Sequence, residues 1–261
     1  MGRAISIIGL DKLPLAKPGD DVAQLIFAAI NADGLELLDG DVIVVSQKII
    51  SKAHGLLVDI SGIRPGNRAR SLARRTKKKD PRLIQLILGD SATVLRADSQ
   101  ALVVRRKDGF VCLNAGVDKS NVEGRLVYTR LPEDSDRAAD EIRLQLEQLS
   151  KRWLGVIVAD TYSRPFRVGQ VEMAIGLSGI KPVVDYRGFE DLFGYRLRFK
   201  FVALADEIAA AAELVIGQGT ERTPVAIVRG LPRLERSEAK GQSLSKKLLL
   251  GRKTDLFRRM L

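Results

Sequence analysis

Seven short runs rich in Val and Ile, each bounded by Gly, Asp or Pro, restrict this chain to a fold that contains β-sheet. Runs of this length and composition are typical of strands. They occupy residues 4–9, 41–46, 55–60, 101–106, 109–114, 154–160 and 224–230.

Four helices are predicted between these runs. The first, at 20–30, follows Pro-Gly and begins with an Asp cap, and the second, at 65–77, carries Pro65 in its first turn. The third, at 134–153, opens with acidic residues and closes with basic ones, and the fourth, at 204–216, ends at a glycine. Strands and helices mix without regular alternation, so the predicted fold class is α+β, with mixed sheets and packed helices.

The supply of metal-binding side chains limits the chemistry. His54 and Cys112 are the single histidine and the single cysteine among 261 residues. A disulfide framework and a cysteine-rich zinc site are therefore excluded within one chain. A bound metal would need oxygen ligands, which favours magnesium, manganese or calcium.

The hydropathy pattern predicts a protein that remains in the cytoplasm. No apolar run reaches the roughly 18 residues that a membrane span needs. The N-terminal residues 1–20 combine one Arg, a short apolar run and early prolines, which is a poor secretion signal. We therefore expect a soluble, cytoplasmic protein.

The net charge of +11 is concentrated in two segments. Residues 64–82 carry nine Lys or Arg against one Asp, and residues 231–261 carry nine against three acids. Clustered cations favour either a nucleic-acid surface or a solvated helix face that attracts an anionic substrate. No aromatic residue lies in 64–82 to stack on bases, which favours the second interpretation.

Common nucleotide and hydrolase motifs are absent. The chain has no P-loop, no glycine-rich dinucleotide motif after a strand and no nucleophile elbow. Instead, five polar clusters recur, several of them at the ends of apolar strands, where a sheet presents side chains to ligands. They lie at 45–55, 114–124, 159–180, 185–200 and 203–219.

Each cluster also has a structural explanation, as a strand edge, a turn or an ion-pair network. Together they supply acidic metal ligands, Lys and Arg for phosphates, and a glycine-containing loop. These are the components of phosphoryl transfer, in which cations neutralise developing negative charge. The residues alone therefore predict an ATP- or GTP-dependent ligase or kinase that lacks a P-loop.

The clusters, in this order, resemble the coenzyme F420-0:L-glutamate ligase family. The most specific segments are "SQKIISKAHG", "NAGVDKSNV", "ADTYSRPFRVGQVEMAIGLSGI" and "ALADEIAAAAELVIGQG". The resemblance implies joining of L-glutamate to the carboxylate of F420-0, then of a second glutamate through its gamma-carboxylate. It also implies GTP as co-substrate, an acyl-phosphate intermediate, divalent manganese or magnesium (two ions per site), and potassium.

The resemblance also implies roles for individual residues. Asp118 and Asp160 match catalytic, metal-binding aspartates, and Thr161 and Gln218 match positions at a second metal. Nucleotide-contacting positions are matched by Leu13, Pro14, Leu15, Gln47, Lys48, Lys52, Asn121, Gly217, Gly219 and Thr220. On charge alone, Arg164 and Arg167 are assigned to a substrate carboxylate or phosphate.

The expected organisation follows from the same resemblance. We expect a ligase core at 1–230, a basic amphipathic arm at 231–261, and no fused flavin-binding domain. An intertwined homodimer is expected, with the apolar part of the arm at the interface.

Two other functions remain open. One is a related amide-forming ligase with a different carboxylate acceptor, and the other is a nucleic-acid-binding protein that uses the basic segments. The sequence also leaves open the number of glutamates added, the preference for GTP over ATP and the metal used in cells.

Overall fold

The computed structural model describes residues 3–76, 80–237, 243–251 and 254–255. Its helices are α1 (Val22–Ala32), α2 (Gln47–Ala53), α3 (Asn67–Arg75), α4 (Pro81–Asp90), α5 (Ser135–Ser150) and α6 (Leu204–Ile216). Its strands are β1 (Ser6–Gly9), β2 (Asp41–Ser46), β3 (Leu57–Asp59), β4 (Ser91–Ala97), β5 (Leu102–Arg106), β6 (Val111–Leu113), β7 (Val127–Thr129), β8 (Leu154–Ser163), β9 (Gln170–Ser178), β10 (Val184–Asp185), β11 (Phe201–Val202) and β12 (Val225–Arg229).

The predicted α+β class is confirmed. The main sheet has the strand order β1-β12-β2-β8-β9, and only the β2–β8 pair is parallel. A second sheet has the order β4-β5-β6, and β3–β7 and β10–β11 form two small ribbons. Among the described residues, no helix is long and apolar enough to cross a membrane.

Helices cover both faces of the main sheet, which explains its continuous apolar runs. Along β2, Ile43 and Val45 pack into the core beneath α1 and α5, whereas Val42 and Val44 pack into the core beneath α6. All four of these side chains are fully buried. A third core joins α3 and α4 to the second sheet. The site described below lies where the first core meets the edge of the main sheet.

All seven predicted strands and all four predicted helices are present; β2 and α6 have the predicted bounds, and the others have shifted ends. Asp21 caps α1 as expected, because its carboxylate accepts a hydrogen bond from the Gln24 N–H at 3.1 Å. The prediction that Pro65 lies in the first helical turn was wrong, since α3 begins at Asn67 after Gly66. The third helix ends at Ser150, and Lys151 follows it in the left-handed conformation.

Among the described residues, the prediction missed two helices and five strands. For the cluster at 45–55, a strand-to-loop edge was the structural alternative to a ligand-binding role, but the segment after β2 forms α2. Helix α4 lies at the end of the basic segment, and its N-cap Asp80 accepts a hydrogen bond from the Arg82 N–H at 2.8 Å. The missed strands are β4, β7, β9, β10 and β11.

The two basic segments differ in their placement. On α3, only Ala69 and Leu72 are buried, and the arginines at 68, 70, 74 and 75 are exposed, which agrees with a solvated helix face. Lys77–Lys79 lie outside the described residues. In the predicted arm, Leu244 is 2% exposed and packs beneath α6, so this part lies against the core. The apolar end of the arm, at 256–261, also lies outside the described residues.

Candidate active site

A cleft of about 1960 Å³ opens where the parallel strands β2 and β8 end. Helix α2 begins directly after β2, so its first turn faces the cleft. Carboxyl ends of neighbouring parallel strands converge on one edge of a sheet, where ligands bind in many α/β proteins. Of the predicted site residues, those lining this cleft are Leu13, Pro14, Leu15, Gln47, Lys48, Lys52, Asp118, Asn121, Asp160, Thr161, Arg164, Gly217, Gln218, Gly219 and Thr220.

Arg167 is the predicted site residue that does not line the cleft. It lies in the turn between β8 and β9 and is exposed. Arg164, in the same turn, does line the cleft, and its Nη2 donates a hydrogen bond to the Val168 carbonyl at 3.3 Å. The geometry therefore supports a substrate contact for Arg164 and gives no such support for Arg167.

A constrained turn presents Asp118 to the cleft. After β6, the backbone of Asn114, Ala115 and Gly116 has φ values of 54°, 57° and 71°, which lie in the left-handed region. A Cβ at Gly116 would approach Leu131 Cδ1 to 2.3 Å, so this turn requires glycine. Packing against Leu131 thus fixes the direction in which the chain enters Asp118.

The Asp118 carboxylate is heavily hydrogen-bonded. Oδ1 accepts from the N–H groups of Lys119 and Ser120, at 2.6 and 3.1 Å, and Oδ2 accepts from Lys48 Nζ and from the Ser120 hydroxyl. Burial acts to raise the pKa of Asp118, but the hydrogen bonds from Lys48 and Ser120 outweigh burial and lower it. Asp118 is therefore ionised at neutral pH.

Asp160 lies on β8, lines the cleft and is partly buried. Burial, and next the charge of Glu172, raise the pKa of Asp160 to about 7. Glu172 lies on β9, one register position from Asp160, and is 4% exposed. Burial likewise raises the pKa of Glu172 to about 7. Glu172 is buried and Asp160 is partly buried, and the repulsion between their negative charges would be relieved by protonation or by a nearby cation.

A hydrogen-bond network links β8, β9 and the loop after α6. The Thr161 hydroxyl lies 3.0 Å from Glu172 Oε1 and 3.1 Å from Gln218 Oε1. Gln218 Nε2 donates to Glu172 Oε1 at 3.1 Å and to Glu213 Oε1 at 2.8 Å. The two positions predicted to share a second metal, Thr161 and Gln218, are therefore in direct contact.

The basic and glycine-containing parts of the cleft are suited to an anion. Lys48 and Lys52 lie four residues apart on α2, and burial and the charge of Lys48 lower the pKa of Lys52. Gly217 ends α6 with φ of 69°. Asn121 Nδ2 donates to the Gly219 carbonyl at 3.2 Å, which joins this loop to the segment after Asp118. Lysine ammonium groups beside a glycine loop are a common arrangement for binding phosphate.

Sequence reasoning left Glu172 and Glu213 without a role. Glu172 was noted within a mixed polar stretch, where acids and arginines suggested an ion-pair network. Recognition of a β8–β9 hairpin would have identified Glu172 as a site residue, because the pairing places Glu172 directly opposite Thr161. Because β9 was not predicted, this register was not available from the sequence.

The oxygen donors of the cleft fit a hard divalent cation. Among the described residues, no three acidic, His or Cys side chains gather into a preformed metal centre. However, Asp118 and Asp160 both line the cleft, and the charge of Asp118 contributes to the raised pKa of Asp160. Thr161 and Gln218 add neutral oxygens nearby. Carboxylate, hydroxyl and amide oxygens are suitable ligands for Mg²⁺ or Mn²⁺, and bound phosphates usually complete their coordination.

Comparison with known proteins identifies the family to which this chain belongs. A profile of the F420-0:Gamma-glutamyl ligase family matches residues 11–230. The chain belongs to the F420-0:Gamma-glutamyl ligase family. The matched range contains every residue that was assigned to the cleft from the sequence.

Relatives of this family are similar over nearly the whole chain. The coenzyme F420:L-glutamate ligase of Methanothermobacter thermautotrophicus is 44% identical over 97% of this chain and 99% of its own length. The protein of the same name from Methanopyrus kandleri is 42% identical over 95% and 97%. That from Methanocaldococcus jannaschii is 39% identical over 87% and 88%. The family predicted from the polar clusters is thus confirmed.

Proposed function

We propose that this protein is a GTP-dependent ligase that joins L-glutamate to coenzyme F420-0 in coenzyme F420 biosynthesis. The observation that carries the proposal is the convergence of Lys48, Lys52, Asp118 and Asp160 on one cleft of a chain from this family. Cations for a triphosphate and acids for divalent metal are the equipment of phosphoryl transfer.

The proposed reaction proceeds in two steps. A carboxylate oxygen of F420-0 attacks the gamma-phosphorus of GTP, and the bond to the β-phosphate oxygen breaks, which leaves an acyl phosphate and GDP. The amine nitrogen of glutamate then attacks the acyl carbon. Inorganic phosphate leaves, the nitrogen loses a proton, and an amide remains. A second cycle would form the gamma-glutamyl bond.

The cationic and uncharged residues of the cleft would have different roles in binding the substrates. Lys48 and Lys52 would neutralise phosphate oxygens, and the loop at 217–220 would approach the nucleotide through its backbone. Arg164 would hold a carboxylate or phosphate of the acceptor, because guanidinium binds both in a forked geometry. Leu13, Pro14 and Leu15, which also line the cleft, would contact the nucleoside.

Asp118 and Asp160, with Thr161 and Gln218, are the proposed ligands of two divalent ions. When bound there, Mn²⁺ or Mg²⁺ would neutralise the triphosphate and polarise its gamma-phosphorus. Asp118 is already held in its ionised form by its hydrogen bonds. The raised pKa of Asp160 means that cation binding would release a proton from this carboxyl near neutral pH. Potassium is proposed as an additional monovalent activator.

We also propose that the protein is a cytoplasmic homodimer. A segment between β10 and β11, residues 186–200, carries five aromatic side chains and is called the aromatic excursion below. Leu192 is 97% and Phe193 is 94% exposed there. Apolar side chains this exposed and this close together are typical of a protein–protein interface. A second copy of the chain is the occupant that the family resemblance favours.

The reaction itself is the decisive test. Purified protein is incubated with F420-0, L-glutamate, GTP, Mn²⁺ and K⁺, and the products are followed by mass spectrometry. The matched variant is Asp160→Asn, which keeps the shape of the side chain but cannot supply a carboxylate. We expect a GTP-dependent mass gain of one or two glutamyl units, lost in the variant.

Two other outcomes would revise the proposal. Binding of GTP and Mn²⁺ without glutamylation would favour a ligase with another carboxylate acceptor. Glutamylation that continues in Asp160→Asn would contradict the role of Asp160. Replacing GTP by ATP, and Mn²⁺ by Mg²⁺, in the same assay determines the preferred nucleotide and metal.

A further inference from the structure

Thr161 and Gln218, the proposed ligands of the second metal, are both neutral, so neither side chain can balance the charge of a divalent ion. Their oxygens lie 3.1 Å apart, which is close enough to share a cation. Divalent magnesium and manganese are normally bound by at least one carboxylate in addition to neutral oxygens. A hydroxyl and an amide alone would leave the charge of the ion uncompensated. A charged ligand is therefore expected beside this pair.

Glu172 is in contact with both residues. Its Oε1 accepts a hydrogen bond from the Thr161 hydroxyl at 3.0 Å and from Gln218 Nε2 at 3.1 Å. The residue is 4% exposed, and among the described residues its Oε2 is buried without a hydrogen-bond partner. A buried carboxylate oxygen without a partner is costly and needs an explanation.

Glu213, the other carboxylate in contact with Gln218, cannot fill this role. Its Oε1 accepts from Gln218 Nε2 at 2.8 Å, and its Oε2 accepts from the Glu172 N–H at 2.9 Å. Both oxygens are thus engaged. The hydrogen bonds from Gln218 Nε2 to Glu172 and Glu213 orient the amide so that its oxygen faces Thr161.

We propose that Glu172 is the charged ligand of a divalent cation held together with Thr161 and Gln218. Its Oε2 is the donor without a partner, and Glu213 fixes the amide so that an oxygen is offered to the ion. The remaining coordination would come from water or substrate phosphate. This inference rests on the proposed function of the same cleft and adds a residue that neither the sequence motifs nor the charge pattern had assigned.

Mn²⁺ binding tests the inference without any turnover. Free Mn²⁺ is measured by electron paramagnetic resonance while the protein is titrated with MnCl₂, with and without a non-hydrolysable GTP analogue. The variants are Glu172→Gln and Asp118→Asn. Glu207→Gln is the matched control, because Glu207 is an exposed residue of α6 that does not line the cleft. Glutamine at 172 can still accept the hydrogen bonds from Thr161 and Gln218, so it removes the charge and keeps the structural contact.

We expect two Mn²⁺ per chain in the wild type and in Glu207→Gln. In Glu172→Gln one ion should be retained and the other weakened by at least about 100-fold, the upper end of what loss of an outer-sphere partner costs. Asp118→Asn should weaken the ion that Glu172→Gln retains. Circular dichroism of each variant checks that the fold is kept.

Each other result is decisive as well. Two ions of unchanged affinity in Glu172→Gln would overturn the inference and leave the proposed function standing. A single ion in the wild type would also overturn it. No Mn²⁺ binding at all, even with the nucleotide analogue, would overturn both the inference and the metal part of the proposed function.

Discussion

At the scale of single residues, the most informative feature is a pair of neighbouring acids, the partly buried Asp160 and the buried Glu172. Their pKa values are raised to about 7. Ionisation of these two carboxyl groups therefore destabilises the folded protein when no cation is bound. Asp118 has the opposite property, because its hydrogen bonds lower its pKa. The cleft thus combines one carboxylate that is ionised at neutral pH with two whose pKa values lie near 7.

The raised pKa of Asp160 predicts a specific dependence of stability on pH. The folded protein holds this proton up to about pH 7, whereas the unfolded chain releases it near pH 4. The free energy of unfolding therefore falls as the pH rises from about 4 to 7, and the full loss is present above 7. Replacing Asp160 by Asn removes this loss.

We expect Asp160→Asn, in the presence of EDTA, to stabilise the protein by roughly 3 kcal/mol more at pH 8 than at pH 5. Urea denaturation at the two pH values measures the difference. The control is Asp11→Asn, an exposed aspartate, which should change stability equally at both pH values. A stabilisation of Asp160→Asn that is the same at pH 5 and pH 8 would show that its charge is not the cause.

At the scale of secondary-structure elements, the position of β9 determines the site, because this strand carries Glu172. Gly176, on β9, lies against the first turn of α5. A Cβ at Gly176 would come within 2.3 Å of the Ser135 backbone, so β9 and α5 can approach this closely only with glycine. Neither backbone can move away without disturbing the core beneath the sheet.

Gly176→Ala is expected to destabilise the protein by about 1–3 kcal/mol, as overpacking of a core does. Gly89→Ala is the same chemical change with the opposite expected sign. Gly89 is in helix α4, with no atom within 4 Å of an added Cβ, so alanine should stabilise by up to about 1 kcal/mol. Urea denaturation of both variants is the measurement. If Gly176→Ala leaves the free energy of unfolding unchanged, then β9 and α5 have room for a methyl group between them.

Elements that follow local rules were predictable from the sequence, and elements that depend on partners were not. Strand β2 and helix α6 carry their own signals, namely a continuous apolar run and an alanine-rich stretch that ends at a glycine. Helix α2 was missed because it is seven residues long and its N-cap Ser46 makes no side-chain cap hydrogen bond. Strand β9 was missed because its identity comes from pairing with β8.

The same distinction holds for the site. Strand-end clusters pointed to Lys48, Asp118 and Asp160, because polar residues at the ends of apolar runs are visible in the sequence. The Lys48–Asp118 ion pair joins residues 70 positions apart, and such a contact has no local signal. Family resemblance supplied Thr161 and Gln218. Glu172 became visible only through its contacts with Thr161 and Gln218, and Glu213 only through its contacts with Gln218 and Glu172.

At the scale of the whole molecule, the aromatic excursion predicts self-association. We expect the wild type to have the mass of two chains at micromolar concentration, and the double variant Leu192→Glu with Phe193→Glu to have the mass of one. The reason is that two carboxylates cannot be buried in an apolar interface without a large cost. Light scattering after size-exclusion chromatography measures both masses.

Leu144→Glu is the control for that experiment, because Leu144 is also exposed, at 50%, but lies on α5, outside the excursion. This variant should retain the mass of the wild type. If the wild type is a single chain at every concentration tested, or if the double variant remains dimeric, then the aromatic excursion is not the interface between two copies.

The charge of the whole molecule predicts how an anionic substrate approaches. The exposed arginines of α3 contribute to a net charge of +11, and a field of this kind raises association rates in a salt-dependent way. Arg74→Gln with Arg75→Gln should raise the KM for F420-0 at low ionic strength and leave kcat unchanged. The effect should shrink toward 0.5 M salt, where the screening length falls well below 10 Å.

The matched control changes the same amount of charge elsewhere. Lys246 and Lys247 are exposed on the helical turn Ser245–Leu248 and do not line the cleft, so Lys246→Gln with Lys247→Gln tests net charge alone. If position matters, the α3 variant should raise KM by a larger factor than the control at low salt, and the two should converge at high salt. Equal effects of both variants would assign the attraction to net charge, and no effect of either would leave α3 as a solvated face without a role in substrate capture.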